Sequence, residues 1–492
     1  MSGEGMIVVL VHGWSVRNTE TYGELPARLR REAKRNPELA LDVRNLWLSK
    51  YISFHNEVQL EDISRAFEAA LRRELGDALG QRPVAIVTHS TGGPVVRDWL
   101  QRFYVNRRKR APISHLVMLA PANFGSPLAQ LGRSRLARLK TWFNGVEPGL
   151  GVLDWLELGS PESLALNIEW MKTAPRLVKQ GIFSFVLTGA SIDHSLYDHL
   201  NSYTGELDSD GVVRVACANL NFRHVTLRQA APPARKPKEL SLAVANESVL
   251  KDVPLAILPG MAHSGDDCGI LRSIRNRDDE HPTVMALLDC LHVKTARDYR
   301  TLRDVFENTS AVVLARQRVD VRNLPGPFDR KRIKDPCSQV IFRVRDQEGY
   351  AVKDFELLLS ADGDDPDRLP PGFFVDRQQN RRDPATLTYY LNAARMLGDD
   401  PLVHEGEVLR GALPAAEGLG LCIQPYPADG FVHYLAGRLP VSREFLRSLV
   451  VPHQTTVVDI ELHRVVHEGT YRLTRRHDSE DFTEAKPGKA IS

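Results

Sequence analysis

Long apolar runs are missing from this chain. No stretch of about eighteen apolar residues occurs in it, which excludes a membrane-spanning helix. The amino terminus has no charged segment leading into a long apolar core, and the apolar run 6–11 is too short to serve as one. No cleaved signal peptide is therefore expected, which predicts a cytoplasmic protein and leaves signal-independent export open. Excess charge is missing as well. Against 64 basic side chains stand 62 acidic ones, a formal balance of +2, so no global field favours nucleic acid. The sharpest basic run, Arg107-Arg108-Lys109-Arg110, falls where a helix should end, and cations are favoured there. Cysteine is scarce. Cys217, Cys268, Cys290, Cys337 and Cys422 are odd in number, form no Cys-x-x-Cys pair and have no zinc-like spacing. Free buried thiols are expected, with a Cys268–Cys290 disulfide as the alternative, and neither a metal site nor a cofactor is predicted.

What is present is a nucleophile's setting. Thr88-His89-Ser90-Thr91-Gly92-Gly93 follows the apolar run Val84-Ala85-Ile86-Val87 and precedes the amphipathic run Val95-Val96-Arg97-Asp98-Trp99-Leu100. Strand, sharp turn with serine at its tip, then helix is the arrangement that lifts a hydroxyl clear of a sheet. The helix starting behind it points amides at any anion forming there. Upstream, the strand-like run 6–11 leads into His12-Gly13-Trp14. A backbone N–H after that strand and the one following the serine form an oxyanion hole in such folds, roles that Trp14 and Thr91 fit. Gly13 lets the backbone approach the reacting carbon. His12, Gly13, His89 and Gly92 are read as supports of the two loops.

The partners of a serine nucleophile follow in order. Asp208-Ser209-Asp210-Gly211-Val212-Val213 places an acid where a loop is expected to open into a strand, and a last strand at 254–260 is followed by Met261-Ala262-His263. The order Ser90, Asp210, His263 predicts a base, His263, that takes the serine proton, and an acid, Asp210, that orients it. Asp193 and Asp208 are rival acids, Asp198 a weaker one, and His281 is the rival base.

Together, Val11-His12-Gly13-Trp14, His89-Ser90-Thr91-Gly92-Gly93, Ala120-Pro121-Ala122-Asn123-Phe124-Gly125-Ser126-Pro127 and Ser209-Asp210-Gly211-Val212-Val213 resemble the lipases of the α/β-hydrolase superfamily, closest to bacterial lipases and related esterases. The resemblance covers residues 5–293. It implies that Asp210 is the catalytic acid and that the fold is a mainly parallel, doubly wound sheet. Those families usually have glycine where this chain has Thr88.

Alternating strand and helix patterns support the same architecture: helices at 22–33 and 57–75, strands at 41–48, 113–119 and 182–188. An insertion, 124–180, carries Trp142, Phe143, Val146, Trp155 and Leu156 broken by glycine and proline, and is expected to be a mobile lid or a fixed cap. The catalytic domain is drawn at 1–295. From 296 to 476 the pattern becomes β-rich and sandwich-like. It includes a hairpin of 340–345 with 350–360, a helix near 386–397, and a half-buried strand at 457–465 that pairs with 470–474. The acidic stretch 361–367 reads as a solvated turn rather than a calcium loop, and 477–492 as a disordered tail.

The sequence thus predicts a serine hydrolase acting on lipid carboxylic esters, a lipase or phospholipase, with a lipid or ester as substrate. Contact with a membrane surface is expected through the lid, and the C-terminal domain is available to a protein partner. A soluble-ester or thioester hydrolase, an exported antibacterial phospholipase, and a non-enzymatic binding protein acting through the β-domain are the alternatives.

Overall fold

The computed structural model describes residues 5–12, 21–36, 39–52, 55–131, 149–192, 207–231, 239–322, 330–363 and 365–466. The first strands are β1 (Met6–His12), β2 (Leu41–Trp47), β3 (Val84–His89), β4 (His115–Leu119) and β5 (Phe183–Gly189). Next, β6 (Phe222–Gln229) and β7 (Glu239–Leu250) leave this sheet, and β8 (Leu255–Leu258) completes it in the order β2-β1-β3-β4-β5-β8. Every pairing in it is parallel. Its inner strands β1, β3, β4 and β5 are mostly apolar because both faces are covered, whereas the edge strand β2 carries Asp42, Arg44 and Asn45. In β1, Ile7, Val9 and Val11 face one core with Phe67, Trp99 and Trp170, whereas Val8 and Leu10 face the other with Leu29, Leu287 and Phe306. The helices Leu60–Leu75 and Gly92–Leu100 thus cover one face; Leu25–Arg35, Pro282–His292 and Ala296–Arg316 cover the other.

Beyond a ribbon of β9 (Val319–Arg322) and β10 (Arg330–Ile333), the chain forms β11 (Cys337–Asp346), β12 (Phe355–Ala361), β13 (Phe374–Gln379), β14 (Thr386–Asn392), a hairpin of β15 (Leu402–His404) and β16 (Glu407–Arg410), β17 (Leu419–Pro425), β18 (Val432–Tyr434), β19 (Ala436–Ser442), β20 (Thr455–Leu462) and β21 (Arg464–Val466). Seven of these, together with β6 and β7, build a second, mixed sheet, β12-β17-β19-β7-β6-β20-β11-β14-β13. It curls on itself: the Tyr389 hydroxyl on β14 donates to the Leu357 carbonyl on β12, near the opposite end of the order, at 3.4 Å.

Several expectations are corrected here. The boundary at 295/296 does not separate the sheets. The β6–β7 hairpin lies in the middle of the second sheet, where β20 pairs parallel with β6 and β19 with β7. The helix Ala296–Arg316 belongs to the first: Tyr299 donates to the Ser184 carbonyl at 2.8 Å and Ser310 receives the Ile257 N–H at 2.8 Å. Residues 386–392 form a strand followed by one helical turn, Ala393–Leu397, because Leu387, Tyr389 and Leu391 alternate into the second core. The strands β11 and β12 do not form a hairpin; β11 pairs with β14 and β20, and β12 with β17. The strand β20 is buried on both faces, with Val458 and Ile460 in the second core and Val457 in the first. Its expected partner, 470–474, lies outside the described residues, as does 477–492.

In the insertion, the helices Leu150–Leu156 and Pro161–Lys179 are a packed cap: Val152, Trp155, Leu156, Leu164 and Trp170 join the first core. Trp142, Phe143 and Val146 lie outside the described residues. In the acidic stretch, Asp365 caps a single helical turn by accepting the Asp367 N–H at 3.0 Å.

Candidate active site

Ser90 follows β3 directly, with φ 54, a left-handed conformation that a non-glycine residue adopts at a cost. Its N–H donates to the Leu119 carbonyl of β4 at 2.9 Å, which holds the turn open, and the helix Gly92–Leu100 starts two residues later. Strand and helix approach closely. A Cβ on Gly93 would meet Pro121 at 2.9 Å, and one on Gly92 would lie 3.1 Å from Thr88 Cβ. Thr88 therefore fits where a glycine is usual because the glycine facing it leaves the room.

The residues expected to serve the nucleophile converge on it. His263 lies in the loop after β8, and its Nε2 is 3.2 Å from Ser90 Oγ. Its Nδ1 is 2.9 Å from Asp210 Oδ2. Nδ1–H donating to the carboxylate leaves Nε2 as the acceptor for the serine hydroxyl. A second tie, the His263 N–H donating to the Asp210 carbonyl at 2.9 Å, fixes the two loops together. Asp210 is fully buried, and its other oxygen, Oδ1, accepts the N–H groups of Val212 and Val213 at 3.0 and 2.7 Å. Here the expectation of a strand after the acid is corrected. Gly211-Val212-Val213 folds back around the carboxylate, and the one-turn helix Val215–Ala218 follows. The fold-back supplies donors that a strand would direct to its neighbours.

His89 lies beside the base, its ring 4.8 Å from that of His263 and its Nε2 3.3 Å from the His263 carbonyl. Burial and the neighbouring His263 hold its imidazole well below the ordinary range. It is therefore neutral near pH 7, with Nε2–H as donor. His12, at the end of β1, donates from Nε2 to Asn45 Oδ1 at 3.0 Å and stacks on Trp47 at 3.6 Å. Burial lowers its pKa to about 4, against the Asn45 hydrogen bond. Thr91 is buried at the start of the helix behind the serine. Gly13 and Trp14 lie outside the described residues, as do the rival acids Asp193 and Asp198.

The remaining rivals are engaged elsewhere. Asp208 Oδ2 accepts from His453 Nδ1 at 2.8 Å and from the Cys337 N–H at 3.2 Å. His281 caps the helix Pro282–His292, with Nδ1 accepting the Thr283 N–H at 3.3 Å, and its Nε2 is 2.9 Å from Ser273 Oγ. Sequence reasoning missed Arg97, which lies wholly buried on the elbow helix. It donates to Asn123 Oδ1 at 3.0 Å and Asn167 Oδ1 at 2.9 Å, and stands 4.7 Å over the Trp170 ring. Burial lowers its pKa to about 9. An arginine among apolar residues in the elbow helix was the available signal. Among the described residues no cluster of histidine, cysteine, aspartate and glutamate is arranged to hold a metal ion.

The sequence profile of the alpha/beta hydrolase family matches residues 8–265. Two solved structures of phospholipase PlaB from Legionella pneumophila align with 99% of this chain and 100% of their own, at 36% and 37% identity and TM-scores of 0.83 and 0.84. The first of them is a complex with thio-NAD. No curated protein sequence matches the chain. The likeness to PlaB extends through the β-rich C-terminal part, which the sequence motifs do not reach.

Proposed function

The chain belongs to the alpha/beta hydrolase family, and we propose that it is a serine esterase of lipids, a phospholipase, working through Ser90, His263 and Asp210. The observation that carries this reading is the unbroken hydrogen-bond chain at the tip of β3: Ser90 Oγ to His263 Nε2 at 3.2 Å, and His263 Nδ1 to Asp210 Oδ2 at 2.9 Å. The likeness to PlaB over the full chain supports phospholipid as the substrate class.

The steps follow from the geometry. His263 Nε2 takes the hydroxyl proton as Ser90 Oγ attacks the acyl carbonyl carbon, and Asp210 stabilises the imidazolium that results. The oxyanion is held by the Thr91 amide and, on the sequence reading, the Trp14 amide, donors worth about 3–4 kcal/mol each in such sites. His263 then gives its proton to the leaving alkoxide. Water, activated by the same imidazole, releases the fatty acid from Ser90. No cofactor enters these steps. Because one PlaB structure is a complex with thio-NAD, a nicotinamide dinucleotide is the small-molecule ligand to titrate against this chain.

The deciding experiment is hydrolysis of p-nitrophenyl esters from short to long acyl, and of phospholipid vesicles, by wild type and Ser90→Ala. Vesicle or long-chain turnover that falls by about 10³-fold or more in the variant is the expected result. Turnover of short soluble esters alone would replace lipid by a soluble ester as the substrate. Turnover undiminished in Ser90→Ala would overturn the serine mechanism and direct attention to binding by the second sheet.

A further inference from the structure

Asp210 lies on an irregular loop, and a loop by itself does not hold a carboxylate to a few tenths of an ångström. Besides the loop's own backbone hydrogen bonds, the second sheet holds this one. Arg214, four residues beyond Asp210 and only 1% exposed, pairs with Asp376 of β13 and stands 4.0 Å over the Tyr390 ring of β14. The Tyr390 hydroxyl donates to the carbonyls of Leu207 and Asp208 at 2.9 and 3.3 Å. On the other side of the loop, Asp208 adopts φ 54, and its carboxylate is held by His453 and the Cys337 N–H. Burial disfavours the charged imidazole of His453, but Asp208 outweighs it and raises the pKa. Thr455 ties down the end of the loop by donating to the Ala216 carbonyl at 2.8 Å.

We propose that Asp376, through Arg214, Tyr390, through Arg214 and the carbonyls of Leu207 and Asp208, and His453, through Asp208, are positioning residues that keep Asp210 within hydrogen-bonding distance of His263. The inference rests on the serine-hydrolase reading above. It makes the C-terminal sheet a structural member of the active site, although Asp376, Tyr390 and His453 act only through other residues. Displacing a catalytic group by about 1 Å costs about a hundredfold in rate. Loosening any one tie therefore lowers kcat and leaves KM in place.

The test uses the full-length protein with His453→Leu, His453→Asn and Tyr390→Phe, and reads kcat, KM and melting temperature on one ester. His453→Leu removes the donor to Asp208 and is expected to lower kcat about ten- to a hundredfold, with KM within about twofold. His453→Asn keeps an N–H donor and tolerates the φ of 61 at this position, so it restores most of that loss. Tyr390→Phe keeps the ring under Arg214 and loses only the hydroxyl, for a drop of about three- to tenfold. If His453→Leu fails to fold, Tyr390→Phe and His453→Asn carry the test. Wild-type kcat in Tyr390→Phe and His453→Leu, with Ser90→Ala inactive, would overturn the positioning role and leave the serine mechanism standing. A parallel loss of kcat and melting temperature that His453→Asn does not rescue would also overturn it. Activity persisting in Ser90→Ala would instead remove the parent reading.

Discussion

Ser90 occupies a conformation that costs on the order of 1–3 kcal/mol for a residue with a side chain, and the surrounding fold holds it there. The hydrogen bond of its N–H to β4 and the glycines behind it are what the strain is held against. The same economy of geometry governs Asp210. One oxygen is saturated by two backbone amides, so only the other is free to orient His263. Replacing Asp210 by Asn keeps the shape but puts an amide where a carboxylate accepts the Nδ1 proton, so the imidazole is left in the wrong tautomer. A loss of about 10³- to 10⁴-fold in kcat is expected, with little change in melting temperature, on the same ester assay. Asp208→Asn, at the rival acid, should lose far less. If the two losses were equal, the assignment of the acid to Asp210 would be wrong.

Among the elements, the β13–β14 hairpin reaches beyond its own sheet. Besides Asp376 and Tyr390 on the acid loop, Asn380 in its turn donates to the Leu158 carbonyl at 3.1 Å, and the Arg381 N–H donates to Glu157 at 2.8 Å. One hairpin therefore touches both the root of the cap and the loop that carries the acid. The contact is tight at Gly159, which has φ +73 and where a Cβ would meet Thr386 Cγ2 at 2.6 Å. Gly159→Ala should destabilise the protein by about 1–3 kcal/mol in urea unfolding. Thr386→Ser, which removes that methyl, should recover the steric part and leave the backbone part. An additive double mutant would show that the two do not meet. Three strands meet at a second junction, Asp459 of β20 with Arg343 of β11 and His224 of β6. Burial would raise the Asp459 pKa, but the bonds from His224 and Arg343 lower it to about 2. A carboxyl that titrates lower when folded than when unfolded stabilises above the unfolded value, near 4, and loses that contribution as pH falls toward 2. Wild type should thus exceed Asp459→Asn by about 2 kcal/mol at pH 6, and the gap should close between pH 4 and 2. A gap independent of pH would assign the effect to packing.

At the scale of the molecule, two sheets share residues too closely to be separate bodies. The strands β11 and β20 put alternate side chains into different cores: Val340, Phe342, Val458 and Ile460 into the second, Ile341 and Val457 into the first. The hairpin β6–β7, drawn from the middle of the hydrolase sequence, is the centre of the C-terminal sheet. A fragment ending at residue 295 would expose the β6 and β7 edges that β20 and β19 cover and lose every second-sheet contact to the acid loop. Unpaired central edges aggregate. The fragment is therefore expected to be insoluble or inactive, checked by expressing 1–295 alone and together with 296–492. A soluble, fully active 1–295 fragment would contradict this account of the architecture.

What the chain determines by itself is local and ordered. The apolar runs of β1, β3 and β5, the turn chemistry around Ser90, and the chain order of Ser90, Asp210 and His263 are written in the sequence itself, so they are legible without coordinates. The existence of helices such as Leu60–Leu75, expected over 57–75, follows from period in the same way. What only the tertiary structure decided is non-local. It put Asp210 against His263 and gave Asp208 to His453, 245 positions away. It sent β6 and β7 into a sheet made otherwise of residues beyond 336, and it turned 386–392 into a strand by offering β11 and β13 as partners. Strand pairing and carboxylate partnership are set by which groups meet in space, and chain order carries no period or spacing that records such meetings.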